Sequence, residues 1–260
     1  MDASLTRGLA AQQVSVRVGT RALVNELSVE FAPGEVVAIL GCNGSGKTLT
    51  LHTLAGLRPP HGGTLHLDGA PFERLNRRTI ALRLGLLAQD LEDGFVATAL
   101  EVVLVGRHPH LALWQWETAD DERIAREALA TMDLAEFAER RTDTLSGGEQ
   151  RRVAVAALLA QQPGIFLLDE PTNHLDPHHQ IKVLGLFRGL AAEKGSTVIT
   201  TLHDPTLAAR FSDRVLMLFG DGRWSIGPVG SALTAESLSA LYDSPMIEIE
   251  KDGRRVFVSA

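Results

Sequence analysis

The chain has a single cysteine among its 260 residues, so no intrachain disulfide can form, and a reducing compartment suits it. Aromatic residues are few, at 5%. No apolar run approaches the ~18 residues that a membrane-spanning helix needs. The longest runs, such as 153–160, have the length of a buried helix. The first 13 residues lack the basic start and apolar core of a signal peptide. Positive charge is not in excess: the formal net charge is -7, which argues against a protein that binds nucleic acid by neutralising its phosphates. There is no internal repeat and no low-complexity segment. The expectation is a soluble chain without a nucleic-acid partner, in which any membrane role comes through another protein.

What is present is ordinary for a packed globular protein, with 45% hydrophobic and 22% charged residues. The length suits one large domain, or a domain with a subdomain. Apolar, β-branched runs at 14–18, 23–31, 36–40, 64–67, 84–88, 164–168, 197–202 and 214–219 read as strands. Helical patterns fall at 47–55, 75–83, 98–105, 119–132, 134–140, 151–160, 180–194 and 205–211. Strands alternating with helices predict an α/β fold with a mostly parallel sheet. Leu233, Leu238 and Leu241 suit a short packing helix, and Asp252-Gly253 sits between alternating residues as a hairpin turn.

Three stretches carry chemistry. Gly41-Cys42-Asn43-Gly44-Ser45-Gly46-Lys47-Thr48 matches G-x-x-x-x-G-K-[ST], the phosphate-binding P-loop, between a predicted strand and a predicted helix. Its glycines allow close backbone approach to an anion at a helix N-terminus. Lys47 supplies a charge for the β- and γ-phosphates, and Thr48 a hydroxyl for Mg²⁺. Ile165-Phe166-Leu167-Leu168-Asp169-Glu170 is an apolar strand ending in two carboxylates, the Walker B pattern. Asp169 would hold Mg²⁺, and Glu170 would orient and deprotonate the attacking water. Leu145-Ser146-Gly147-Gly148-Glu149-Gln150 opens a helix and offers a second anion cradle, or a plain serine cap.

The last stretch resembles the signature motif of the ATP-binding cassette (ABC) ATPases, and the resemblance covers nearly the whole chain. It implies a P-loop NTPase fold with a mostly parallel core sheet, an antiparallel β-subdomain and a helical subdomain. Within one domain spanning 1–260, the core would take 1–89 and 163–230, the helical part about 90–162, and a C-terminal helix and hairpin 231–260. The resemblance implies ATP as substrate with Mg²⁺. It makes Gln89 a Q-loop residue touching metal and water, Asp176 a D-loop residue and His203 a switch histidine contacting the γ-phosphate. Catalysis would rest on Glu170, His203 and Gln89, and metal binding on Thr48, Gln89 and Asp169. It also implies a head-to-tail homodimer in which Ser146, Gly147, Gly148 and Glu149 of one chain close on ATP held by Lys47 of the other.

Among such proteins the chain reads as the ATPase subunit of an importer, placed on the cytoplasmic face of the inner membrane by permease subunits and served by a periplasmic or surface substrate-binding protein. An exporter ATPase or a soluble non-transport ATPase is the alternative. Val102-Val103-Leu104-Val105-Gly106-Arg107-His108-Pro109-His110, Trp114 and His178-His179-Gln180 resemble importers of iron-siderophores, haem and cobalamin. His108, His110, His178 and His179 lack the cysteine or carboxylate that would complete a metal site. Of Trp114 and Trp116, one is expected to pack and the other to be partly exposed. Two departures from the family pattern stand out. Val18 falls where an aromatic residue usually stacks on adenine, and Cys42 falls where proline is common; a thiol at a helix N-terminus is a candidate for reactivity.

Overall fold

A computed structural model describes residues 8–89, 97–112 and 114–260. The chain opens with two long strands, β1 (Leu9–Val18) and β2 (Arg21–Phe31), paired antiparallel. Next come β3 (Val36–Leu40), helix α1 (Lys47–Leu54), β4 (Gly62–Leu67), the two-residue β5 (Ala70–Pro71), α2 (Arg77–Arg83) and β6 (Leu84–Leu87). Strands β2-β1-β4-β5 form one antiparallel sheet. The β1–β2 pairing slips between Ala11 and Val16. Gln13 and Glu26 there turn to positive φ, and their N–H groups donate to Ser28 Oγ and Ser15 Oγ, each at 3.0 Å. This bulge interrupts the in–out alternation of β1, which is why the sequence pattern reveals the strand only from Val14 onward.

Helices α3 (Ala99–Val105), α4 (Ala119–Thr131) and α5 (Gly147–Gln161) pack against one another. Residues 134–140, expected as a helix, form only a short 3₁₀ turn at Ala135–Phe137. The carbonyls of Ala138 and Arg140 accept from Leu100 N–H and Ala99 N–H at the start of α3, so they are spent on that helix's N-terminus. Arg107, at the end of α3, is buried. It donates to Asp121 at 2.9 Å and to the Ala160 carbonyl at 2.8 Å, tying the three helices together.

The chain then alternates β7 (Ile165–Leu168), α6 (Pro177–Lys194), β8 (Thr197–Thr201), α7 (Pro205–Phe211) and β9 (Arg214–Leu218). The second sheet has the order β9-β3-β8-β7-β6, all parallel, with β10 (Trp224–Pro228) added antiparallel on the β9 edge. Strand β10 is absent from the sequence reading: Trp224–Pro228 carries a glycine and a closing proline, and only an edge strand tolerates that. All residues of β3, β7 and β8 are buried, as expected of parallel strands covered on both faces. The tail holds α8 (Val229–Ala232), α9 (Ala235–Tyr242) and the expected hairpin β11 (Met246–Lys251) and β12 (Arg254–Ser259).

Parallel register brings the carboxyl ends of three central strands to one edge. Leu168 pairs with Thr200, and Ile39 with Thr201. The residues that follow, Gly41 after β3, Asp169 after β7 and His203 after β8, therefore emerge side by side.

Candidate functional site

The loop from Gly41 to Gly46 links β3 to α1, and Gly46 caps the helix in a left-handed conformation, φ 100°. A Cβ on Gly41 would stand 2.4 Å from Ser45 Oγ and 2.6 Å from the Leu218 carbonyl, so no larger residue fits there. Lys47 is buried, and its ammonium donates to the carbonyls of Gly41 (2.9 Å) and Cys42 (3.3 Å). Burial pulls its pKa below the usual lysine value, while Glu170, Cys42 and Asp169 pull it back up. Asn43, Gly44, Gly46, Lys47 and Thr48 line a cavity of about 420 Å³, together with Gln89 and Glu170. The β1–β2 hairpin closes it with Val18, Arg21 and Leu23.

Asp169 is fully buried. Its Oδ1 accepts from Thr201 Oγ1 at 2.8 Å. Its Oδ2 has no hydrogen-bond partner among the described residues and lies 3.9 Å from the equally unpartnered His52 Nε2. The orphaned buried oxygen of Asp169, the residue before cavity-lining Glu170, together with the hydroxyl of Thr48 and the amide of Gln89, both cavity-lining residues, is an oxygen donor set suited to Mg²⁺. Glu170 has positive φ, 48°, and its N–H donates to Thr201 Oγ1 at 2.7 Å. Its Oε1 is 2.6 Å from His203 Nε2, and its Oε2 accepts from Asn173 Nδ2.

Sequence reasoning missed Arg151, which is buried on α5 immediately after the signature stretch. It donates to the carbonyls of Ala88, Gln89, Asp169 and Glu170, binding the start of the Gln89 loop to the Asp169-Glu170 corner. A charged residue on a helix face that otherwise buries Val153, Ala154 and Val155 is the signal that would have found it. Thr201 gave no such signal, since threonine is common in strands.

The signature residues lie elsewhere. Ser146, Gly147, Gly148 and Glu149 line a separate depression with Arg152, His174, Leu175, Asp176 and His179, which shares no residue with the first cavity. Ser146 and Glu149 form a reciprocal cap on α5. Ser146 N–H and Oγ both donate to Glu149 Oε2 at 2.7 Å, and those bonds hold the Glu149 carboxyl below its usual pKa. Asp176 caps α6, and the bonds it accepts from His179 lower its pKa as well. The serine cap expected of this stretch is therefore present.

His110 Nε2 is 2.8 Å from the Gln161 carbonyl, and His108 Nε2 is 3.7 Å from Glu117. Among the described residues no His, Cys, Asp or Glu cluster of metal-binding form occurs. The tryptophan expectation is corrected: Trp114 and Trp116 are 92% and 86% exposed, so neither packs. Trp114 has positive φ, 67°, and the Gln115 N–H bonds the Ala112 carbonyl. Cys42 is exposed, and its Sγ donates to the Leu241 carbonyl at 3.3 Å.

Comparison with known proteins places this geometry in a family. The ABC transporter family profile matches residues 24–173. The hemin import ATP-binding protein HmuV of Rhodococcus jostii is 38% identical over 93% of this chain and 82% of its own length. The ferric enterobactin transport ATP-binding protein FepC of Escherichia coli is 36% identical over 93% of this chain and 89% of its own. Among solved structures, a transporter described as metal-chelate type, in an inward-facing conformation, superposes with TM-score 0.85 at 26% identity, covering 98% of each chain. A dimeric cassette with ADP and phosphate, in a post-hydrolysis state, gives TM-score 0.73 at 28% identity over 84% of this chain and 97% of its own. The chain belongs to the ABC transporter family and is one of its ATP-binding cassettes, an ATPase.

Proposed function

We propose that this ATPase powers a membrane importer whose cargo is an iron-siderophore, haem or cobalamin. It works as a homodimer on the cytoplasmic face of the inner membrane. Permease subunits hold it there and take cargo from a periplasmic or surface substrate-binding protein. The observation that carries the reading is the split of the functional residues into two faces. Lys47, Thr48, Gln89 and Glu170 line one cavity, with Asp169 next to Glu170 in the chain and His203 bonded to the Glu170 carboxyl, whereas Ser146–Glu149 and Asp176 line another. Each cavity supplies half of a triphosphate enclosure, and twofold pairing of two chains completes both halves.

In this reading the loop amides and Lys47 hold the β- and γ-phosphates. Thr48, Asp169 and Gln89 would hold Mg²⁺, which when bound would neutralise charge on the transferring phosphoryl group. Glu170, fixed by His203 and Asn173, orients the attacking water and takes its proton. His203 also reports the γ-phosphate. Ser146 and Gly148 of the second chain complete the enclosure, so ATP binds well only in the closed dimer and its hydrolysis releases the pair. Helices α3, α4 and α5 offer the surface for the permease, since Arg151 ties α5 directly to the Gln89 carbonyl. The names of the relatives support import over export.

Purification of the tagged chain from solubilised membranes tests this. An integral-membrane permease should copurify, and ATPase activity should rise with haem- or siderophore-loaded binding protein. Recovery with a permease that exports, or without any permease, contradicts the importer reading.

A further inference from the structure

We propose that Thr201, at the end of β8, is a positioning residue that gives Asp169 and Glu170 their separate tasks. The inference rests on the reading of Asp169 as a metal holder and Glu170 as the base. Thr201 is fully buried, and the register of β8 against β7 sets it beside the Asp169-Glu170 corner. Its single hydroxyl makes two bonds of opposite sense. It accepts from the Glu170 N–H at 2.7 Å and donates to Asp169 Oδ1 at 2.8 Å.

Each bond has a consequence. The bond to Oδ1 turns the Asp169 carboxylate so that one oxygen is satisfied by the sheet. The other, Oδ2, is left buried without a hydrogen-bond partner, 3.9 Å from His52 Nε2. An oxygen kept free of protein donors is one a hard cation can take without displacing a bond. The bond from the Glu170 N–H holds a residue at φ 48°, a conformation that side chains with a Cβ rarely adopt. That conformation takes the chain out of the strand direction and sends the Glu170 carboxylate to His203 and Asn173. Arg151 holds the same two residues through their carbonyls, while the Thr201 hydroxyl joins the Glu170 backbone to the Asp169 carboxylate. One hydroxyl thereby leaves an Asp169 oxygen free for the cation it would hold and sets the neighbouring carboxylate for the base role.

The test compares wild type with T201V, which keeps the shape and loses both bonds, and with T201S, which keeps the hydroxyl. T201C serves as a second weak-donor variant should T201V not fold. Mn²⁺ titration of the ATP-bound protein by electron paramagnetic resonance reads the metal site, steady-state kinetics give kcat and KM, and melting curves monitor the fold. T201V is expected to weaken Mn²⁺ binding about tenfold and to lower kcat at least as much, with metal-free ATP affinity within about twofold of wild type. T201S should restore both quantities. Wild-type Mn²⁺ affinity and kcat in T201V or T201C, or failure of T201S to restore them, overturns the proposal. D169N is the control. If D169N keeps full Mn²⁺ affinity, the reading of Asp169 falls and this proposal with it. Loss of Mn²⁺ binding in D169N beside an unchanged T201V overturns the role of Thr201 alone.

Discussion

His203 Nε2 stands 2.6 Å from Glu170 Oε1, joining the end of β8 to the end of β7 at a residue that lines the cavity. The pair shares a short, charge-assisted contact, so removing the imidazole frees the carboxylate from one of its two anchors. His203→Ala is expected to lower kcat on the order of 100-fold. ATP affinity should change only a few-fold, since Lys47 and the loop amides are untouched. Equilibrium binding beside single-turnover hydrolysis separates the two. An equal loss in both would assign His203 to nucleotide binding instead.

The base end of the cavity is lined by Val18, Arg21 and Leu23, without an aromatic ring. Arg21 is pinned there by two bonds to the Gly220 carbonyl, at 2.9 and 3.1 Å. ATP and GTP should be hydrolysed with similar kcat/KM. Val18→Tyr should tighten ATP about fivefold, the equivalent of ~1 kcal/mol of ring stacking. A strong ATP preference in the wild type would show that base recognition does not depend on this position.

Cys42 sits on the phosphate loop with its residue surface exposed. Alkylation by a maleimide should abolish ATP binding by placing bulk at the phosphates, and prebound ATP should protect. Cys42→Ala should bind ATP normally and ignore the reagent. Wild-type activity that survives full modification would remove Cys42 from the site.

The Arg107–Asp121 pair stitches the helical part together, and Asp121→Asn is expected to cost about 3 kcal/mol at neutral pH. Hydrogen bonds from Thr118 and then Arg107 hold the Asp121 carboxyl down to about 2 from 3.8. A depressed folded-state value means the stabilisation is full above pH 3.8 and disappears as pH falls toward about 2. Urea melts of wild type and Asp121→Asn should therefore differ most at neutral pH and converge at the acid end. A constant difference across that window would contradict the assignment.

The sequence exposes the parts of this protein whose chemistry demands particular residues at fixed spacing. Lys47 in its glycine loop, Asp169-Glu170 at a strand end and Ser146 at a helix start fall where their patterns predict. Partners across the chain were invisible. Thr201 lies 32 residues from Asp169 and carries an ordinary strand side chain. Arg151 acts through backbone carbonyls, so its partners leave no trace in residue types, and only its place on an apolar helix face marks it. The helix expected at 134–140 failed because its carbonyls serve the start of α3, a tertiary demand that local periodicity does not register.

Ser146–Glu149 lie apart from the Lys47 cavity, and in the proposed reading one chain is therefore half of each ATP site. Glu170→Gln keeps the Lys47 loop intact and removes the proposed base, so it should bind ATP without turning it over. Size-exclusion chromatography with light scattering, on Glu170→Gln with ATP and Mg²⁺, is the most direct measurement. A stable dimer that returns to monomer when ATP is withdrawn is the predicted result. A monomer that binds ATP with full affinity under the same conditions would contradict a site completed by a second copy of the chain.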